Sequence, residues 1–450
     1  MQEEQKEEME HDISMLLAGS WHTDSHKWLA LAEQYLATST FARDIYPIWD
    51  HLKGDWVWMY DLDGKKYLDF TSGVGVRAFG HFSGKMRHIR NHLTQVIWQL
   101  ASLDFDHLPQ ILLAKHLLKN TPGGGKKQVF FTTSGARAVE TALKSLFDRK
   151  KKYKIIAFHP AFHGRTGYSL TVSSSKPAQT AGYPQAFPVV RSPYAYCYRC
   201  PFGEEPETCS LSCVQALKEQ LAYTGTDDIA GIILEPVAGE GGIIVPPAKF
   251  VQAIALLAKE IHVELISDEV QAGFGRTGTL WAIQNFGVEP DYIASGKALG
   301  GGFPLSACIG PSPMFTAPGR HSETFSAEPF SAILSLYTLY LVLQHLPNVQ
   351  KMGGVWMEKL QQLKEEFPFI GDVRGLGLMS GMEIVRDKKS KERAPELARQ
   401  IVKNCVEEGL ILLPSGLNSI RFLPPLDVTE EILIEAFARL KKACARIPRS

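Results

Sequence analysis

Two residues with reactive side chains stand out between Val263 and Phe303: Asp268 and Lys297. The stretch opens with a short apolar run, Val263–Ile266, of strand character, which ends at Ser267 and Asp268. Lys297 follows among small residues, with Ser295 and Gly296 before it and Ala298, Leu299 and Gly300–Gly302 after it. An amine made nucleophilic forms an imine with a carbonyl. An acid at the end of a buried strand is placed to keep a cationic ring protonated. Together they suit pyridoxal phosphate, whose ring nitrogen needs a carboxylate, here Asp268, and whose aldehyde needs an amine, here Lys297. A solvated lysine and an ordinary strand-end acid would read the same way, so the rest of the chain has to decide.

Four further stretches carry matching chemistry. FFTTSGARAVETALK (130–144) reads as a strand, a small-residue turn and an amphipathic helix. The N–H groups at Ser134, Gly135 and Ala136, with the helix dipole, would cradle an anion. AFHPAFHGRTGYSL (157–170) offers Phe162 to stack on a planar ring and Arg165 to fork a carboxylate. Core packing for Phe162 and a surface ion pair for Arg165 are the plain alternatives. EPVAGEGG (235–242) sets Glu235 and Glu240 around a glycine-rich loop, able to pair with an arginine or with a cofactor's surroundings. IRFLPPL (420–426) places Arg421 on an apolar strand, where a substrate carboxylate would partner it.

These residues need elements to hold them. From Gln128 onward short apolar strands alternate with helical stretches: 128–132, 154–158, 230–236, 263–269 and 291–295. That alternation predicts an α/β fold, a mostly parallel sheet covered by helices. Ligands in such sheets lie beyond the carboxyl ends of the strands. Ser134, Phe162, Glu235, Asp268 and Lys297 all fall there. Upstream, alternating apolar residues about Asp63-Gly64 predict a hairpin, and helical patterns run from about Met86 to Leu100 and from Pro109 to Asn120. Downstream of Ser331 a long helical region leads to a smaller α+β part with its own sheet.

The totals are those of an ordinary soluble globular protein: 450 residues, 45% hydrophobic, 21% charged, enough for two to three domains. Lys plus Arg and Asp plus Glu both number 48, so no polyanionic partner such as a nucleic acid is implied. The acidic N-terminus, MQEEQKEEMEHD, lacks a signal pattern. No apolar run is expected to span a membrane; the best, near Leu334–Leu346, is interrupted by polar groups. Seven cysteines, unevenly placed, point to a reducing, cytoplasmic setting.

As a set, DLDGKKYLDF, TSGARAVETALK, FHGRT, EPVAGEGG, SDEVQAGFGRTG, SGKALGGGFPLSA, ETF, VRGLGLM and IRFLPPL resemble the class III pyridoxal-phosphate aminotransferases, from about Asp61 to Pro425. That family includes the 4-aminobutyrate, ornithine and acetylornithine aminotransferases. The resemblance implies fold type I: a large cofactor domain at 75–330 and a smaller domain made from 1–74 and 331–450. It implies that Lys297 holds the imine and then moves the substrate proton, and that Asp268 binds the ring nitrogen. Gln271 would contact the ring hydroxyl, with Phe162 and Val270 on the two ring faces. Ser134, Gly135 and Ala136 would hold the phosphate, joined by Thr324 from the other subunit of a homodimer. Arg421 would take the substrate α-carboxylate, Glu240 would pair with Arg421 otherwise, and Arg165 would take the distal carboxylate of 2-oxoglutarate. The implied reaction moves an amino group from an amino acid, with an ω-amino donor favoured, to a 2-oxo acid. Racemisation on the same scaffold is the alternative.

Three departures mark this chain. Arg137 replaces the family's usual glutamate, and Glu328 falls within a changed Gly-Gly-Asn-Pro segment, which suggests an ion pair between Arg137 of one subunit and Glu328 of the other. An insertion, YCYRCPFGEEPETCSLSC (196–213), places Cys197, Cys200, Cys209 and Cys213 at spacings that suit structural zinc or an iron–sulfur cluster. A packed loop with free thiols is the alternative.

Overall fold

The computed structural model describes residues 2–18, 25–37, 44–81, 84–93, 96 and 105–448. At its centre lies a seven-stranded sheet, ordered in space Lys127–Thr132, Ser306–Pro311, Tyr292–Ser295, Glu264–Asp268, Ile229–Leu234, Lys154–His159 and Val189–Pro193. Ser306–Pro311 runs antiparallel to both neighbours, and every other adjacent pair is parallel. The five strands expected from the sequence are present. Ser306–Pro311 and Val189–Pro193 were not expected.

Alternation along the strands separates two apolar layers. Ile155, Ala157, Ala230 and Ile233 face Ala138, Val139, Ala142 and Leu146 of the helix Gly135–Lys150. Ile156, Phe158, Ile232 and Leu234 belong to the opposite layer, with Phe250 and Ile254 of the helix Ala248–Glu260. Every residue of Ile229–Leu234 is buried, as expected for a strand covered on both faces.

The chain ends meet in a four-stranded sheet. The hairpin expected at Asp63-Gly64 joins Trp58–Asp61 to Lys66–Asp69, and Leu410–Ile411 from the far end of the chain adds to it in parallel. A second small antiparallel sheet, of Ile370–Leu376, Met379–Ile384, Ser419–Phe422 and Leu413–Ser415, carries Arg421. The helix expected over 86–100 is described from Gly84 to Leu93, and 94, 95 and 97–104 lie outside the described residues.

The helix Pro329–Glu366 corrects one expectation. It contains a stretch long and apolar enough to cross a membrane, yet 56% of that stretch is buried within the protein. Leu334, Val342, Val349 and Leu360 are fully buried, so its apolar character serves the core. Trp356 on this helix packs between Phe70 and Phe422, at 5.3 Å from each ring, and thereby joins N-terminal and C-terminal segments. Trp356→Ala is expected to cost about 3–5 kcal/mol, measured as a fall in the urea unfolding midpoint at constant slope. Trp356→Phe should cost much less, because the buried indole Nε1 makes no hydrogen bond.

Candidate active site

The carboxyl ends of the parallel strands gather the expected residues. Asp268 closes its own strand, Glu235 directly follows Leu234, and Lys297 follows the strand Tyr292–Ser295 by two residues. Ser134 caps the helix Gly135–Lys150, its hydroxyl accepting from the Arg137 N–H. The first turn of that helix is approached very closely. A Cβ added to Gly296 would lie 3.2 Å from the Gly135 Cα, and one added to Gly135 would lie 2.5 Å from Val270 Cγ1. Glycine at both positions lets the lysine turn, the start of the helix Gly135–Lys150 and Val270 converge.

Lys297 itself adopts φ 45°, a left-handed conformation that costs about 1 kcal/mol or more for an L side chain. Burial lowers its ammonium pKa to about 8; Arg421 lowers it further, while Glu235, Asp268 and Glu240 oppose the fall. The neutral, nucleophilic amine is therefore accessible near physiological pH.

Asp268 is buried, with Oδ1 accepting from the Val270 N–H at 3.1 Å and Oδ2 standing 2.7 Å from His163 Nδ1. His163 was not singled out from the sequence, although it sits inside the FHGRT motif. Its other ring nitrogen, Nε2, is buried without a hydrogen-bond partner. Glu235 is buried beside them. Its two oxygens accept the N–H groups of Phe162 and Gly239 at 2.8 and 2.9 Å, tying two loops of the site together. Burial holds its carboxyl up at about 7, with His163 lowering and Asp268 raising it.

Phe162 is partly exposed, and the exposed Arg165 guanidinium lies 5.8 Å from its ring centroid. Gln271 is wedged beside Gly239, and its buried Oε1 has no partner. Glu240 bridges two cations: Oε2 to Arg421 Nη1 at 3.0 Å and Oε1 to Lys176 Nζ at 2.7 Å. Burial would raise this carboxyl, but Arg421, Lys176 and Lys297 together hold it below its ordinary value. Nothing in the sequence signalled Lys176.

Arg137 and Glu328, expected to pair between subunits, each have a partner within one chain. Arg137 Nε donates to Glu323 at 2.6 Å, and Glu328 caps the long helix by accepting from the Phe330 and Ser331 N–H groups. Thr324, beside Glu323, is exposed.

The four cysteines of the insertion line one small cavity with Lys249, and all are free thiols. Burial raises Cys197 and pushes Cys213 up to about 11. Among the described residues no group of three or more His, Cys, Asp or Glu side chains is placed to hold a metal, so the zinc or iron–sulfur expectation gains no support. The insertion instead anchors through Tyr196 and Arg199, which both bond the fully buried Glu383. Arg374 completes this network and donates to the Gly242 carbonyl at 2.7 Å, two residues from Glu240.

A central seven-stranded sheet with one antiparallel strand, a half-buried lysine in a left-handed turn and an acid at the neighbouring strand end define a fold type I pyridoxal-phosphate enzyme. The chain belongs to the class III aminotransferases: the family described as Aminotransferase class-III matches residues 42–444. Among curated relatives, a probable 4-aminobutyrate aminotransferase of Bacillus subtilis is 34% identical over 87% of this chain and 91% of its own length. A leucine/methionine racemase of Thermococcus litoralis is 32% identical over 86% of this chain and 89% of its own. Among solved structures, a thermostable (S)-enantioselective omega-transaminase from Thermomicrobium roseum superposes with a TM-score of 0.87 at 28% identity, covering 95% and 99% of the two chains. An omega transaminase from Pseudomonas jessenii in complex with PMP superposes with a TM-score of 0.85 at 27% identity, over 92% and 97%.

The residues present fit the family's cofactor. Gln271 Oε1 and His163 Nε2 are buried polar atoms without protein partners, and the start of the helix Gly135–Lys150 offers first-turn N–H groups to an anion.

Proposed function

We propose that this enzyme transfers an amino group from an ω-amino donor, such as 4-aminobutyrate, ornithine or lysine, to a 2-oxo acid such as 2-oxoglutarate. The observation that carries this reading is Glu240 set between Arg421 and Lys176. An arginine with an internal carboxylate can present a neutral pair to a donor end lacking a carboxylate. It can also release its guanidinium to a substrate that brings one.

When bound, pyridoxal phosphate supplies an electron sink conjugated to the substrate nitrogen. Ser134, Gly135 and Ala136 would hold its phosphate, with Thr324 reaching across from the partner of a cytoplasmic homodimer. Phe162 and Val270 would cover its two ring faces, Gln271 would meet the ring hydroxyl, and Asp268 would keep the ring nitrogen charged. His163 holds Asp268 in orientation. The Lys297 amine would take up and return the proton of the substrate's amine-bearing carbon. Arg421 would bind the α-carboxylate and Arg165 the distal one.

The test is a donor and acceptor screen on the purified holoenzyme: 4-aminobutyrate, ornithine and lysine against 2-oxoglutarate, read as glutamate formed. Racemisation is the second reading, favoured by relatives described as a leucine/methionine racemase and an isoleucine 2-epimerase. Incubating one chiral amino acid without any oxo acid separates the two: loss of optical rotation means racemisation.

A pH dependence follows from Lys297. With its pKa lowered to about 8, the amine is mostly protonated below that pH. Capture of pyridoxal phosphate by the apoenzyme is expected to quicken about tenfold per unit up to about pH 8 and then level off. Visible absorbance followed over time measures it, and a flat profile from pH 6 to 9 would contradict a titrating amine.

A further inference from the structure

We propose that Lys176 is the second anchor of Glu240, the residue that lets a substrate carboxylate take Arg421 without stranding a buried carboxylate. The inference rests on the transamination reading above and assigns a specificity role within that site. Three observations carry it. First, the two carboxylate oxygens of Glu240 are divided, Oε1 to Lys176 Nζ at 2.7 Å and Oε2 to Arg421 Nη1 at 3.0 Å. Second, the main chain around Glu240 is fixed. Its carbonyl accepts from the Gly416 N–H at 2.8 Å, and the Gly239 carbonyl accepts from Ser415 Oγ at 2.7 Å. A Cβ on Gly416 would lie 2.7 Å from the Gly241 carbonyl oxygen, so the two loops pack backbone against backbone and the Glu240 side chain is the part with freedom to turn. Third, the side-chain exposures fall from 28% at Lys176 through 16% at Glu240 to 8% at Arg421, so the lysine stands at the mouth and the arginine at the floor.

The physical consequence concerns what happens when Arg421 changes partner. A buried carboxylate that loses its only cation must resolvate or take up a proton, and either is costly. With Lys176 in place, a substrate carboxylate displaces only Oε2, and Oε1 keeps its ion pair. Exchange at Arg421 then replaces one ion pair by another. Without Lys176, Glu240 has Arg421 as its one directly bonded cation and holds it against incoming carboxylates. The charged groups acting on Glu240 are Arg421, Lys176 and Lys297, and only the first two make contact. Lys176 therefore selects for substrates whose carboxylate adjoins the reacting carbon, the class that must open the Glu240–Arg421 pair. It weighs little on donors that present an unsubstituted amine-bearing carbon.

The experiment uses holoenzyme that has first been shown to turn over an ω-amino donor with 2-oxoglutarate; failure there defeats the functional reading before any variant is made. In Lys176→Gln, the ratio of half-reaction efficiencies is expected to shift about tenfold toward the ω-amino donor, through a raised KM for 2-oxoglutarate. Calorimetry of 2-oxoglutarate binding to the pyridoxal form should show the same roughly tenfold weakening without turnover. Lys176→Arg should restore both values. Adding Glu240→Gln to Lys176→Gln should remove the weakening, since no carboxylate then competes for Arg421. Equal losses in both half-reactions, or a weakening that persists in the double variant, would overturn the proposal.

Discussion

Lys297→Ala is expected to lower turnover by at least about four orders of magnitude, because in the proposed reaction one amine serves as both nucleophile and proton carrier. Lys176, a second amine close to the site, is committed to Glu240 at 2.7 Å. The loss should come without unfolding. A lysine whose pKa is lowered to about 8 carries an unfavourable burial cost when charged, and alanine removes it. The left-handed φ of 45° is strained for lysine and alanine alike, so the backbone term cancels. Single-turnover kinetics and the visible spectrum of the reconstituted protein provide the measurement, with thermal unfolding as the control. Lys297→Arg keeps a cation opposite Glu235, Asp268 and Glu240 but cannot form the imine, and should be equally inactive. Activity within a hundredfold of the parent enzyme would refute the assignment.

Asp268→Asn carries the second largest expected effect, a fall of roughly a hundred- to a thousandfold in kcat/KM. The substitution keeps the shape of the side chain, and its oxygen can still accept the Val270 N–H that now lies at 3.1 Å. What disappears is the negative charge in a buried position, held 2.7 Å from His163 Nδ1. A ring nitrogen without that charge gives up its proton more readily and withdraws electrons less. The effect should fall on kcat for every substrate, whereas a change at Arg165 or Arg421 should fall on substrates that bring a carboxylate. Cofactor affinity, followed by fluorescence, should weaken in parallel. A loss smaller than tenfold would mean that another group keeps the ring charged.

How far the sequence disclosed the site varies with how local each signal was. Asp268, Ser134, Phe162 and Lys297 lie next to strand ends whose apolar letters are continuous, so their placement at one edge of the sheet followed from pattern alone. Ser306–Pro311 was missed because serine, glycine and proline argue against a strand. It forms one because both neighbours hold it, in register with Phe131 and Ala294 on its two sides. For Arg137 and Glu328, expected to pair across subunits, the structure adds partners inside one chain. Complementary charges suggested partners, but Glu323 stands within hydrogen-bond reach of Arg137, and a helix start with unmet N–H groups claims Glu328.

The letters by themselves determined the family, the alternation of strand and helix, and the lysine–acid pair, because each rests on residues close together in the chain. Only the tertiary structure decided the partners of those residues. His163 reaches Asp268 across 105 positions, Lys176 reaches Glu240 across 64, and Arg421 reaches it across 181. Contacts of that separation depend on how the sheet, its loops and the small C-terminal sheet pack against one another, and no local pattern encodes that packing.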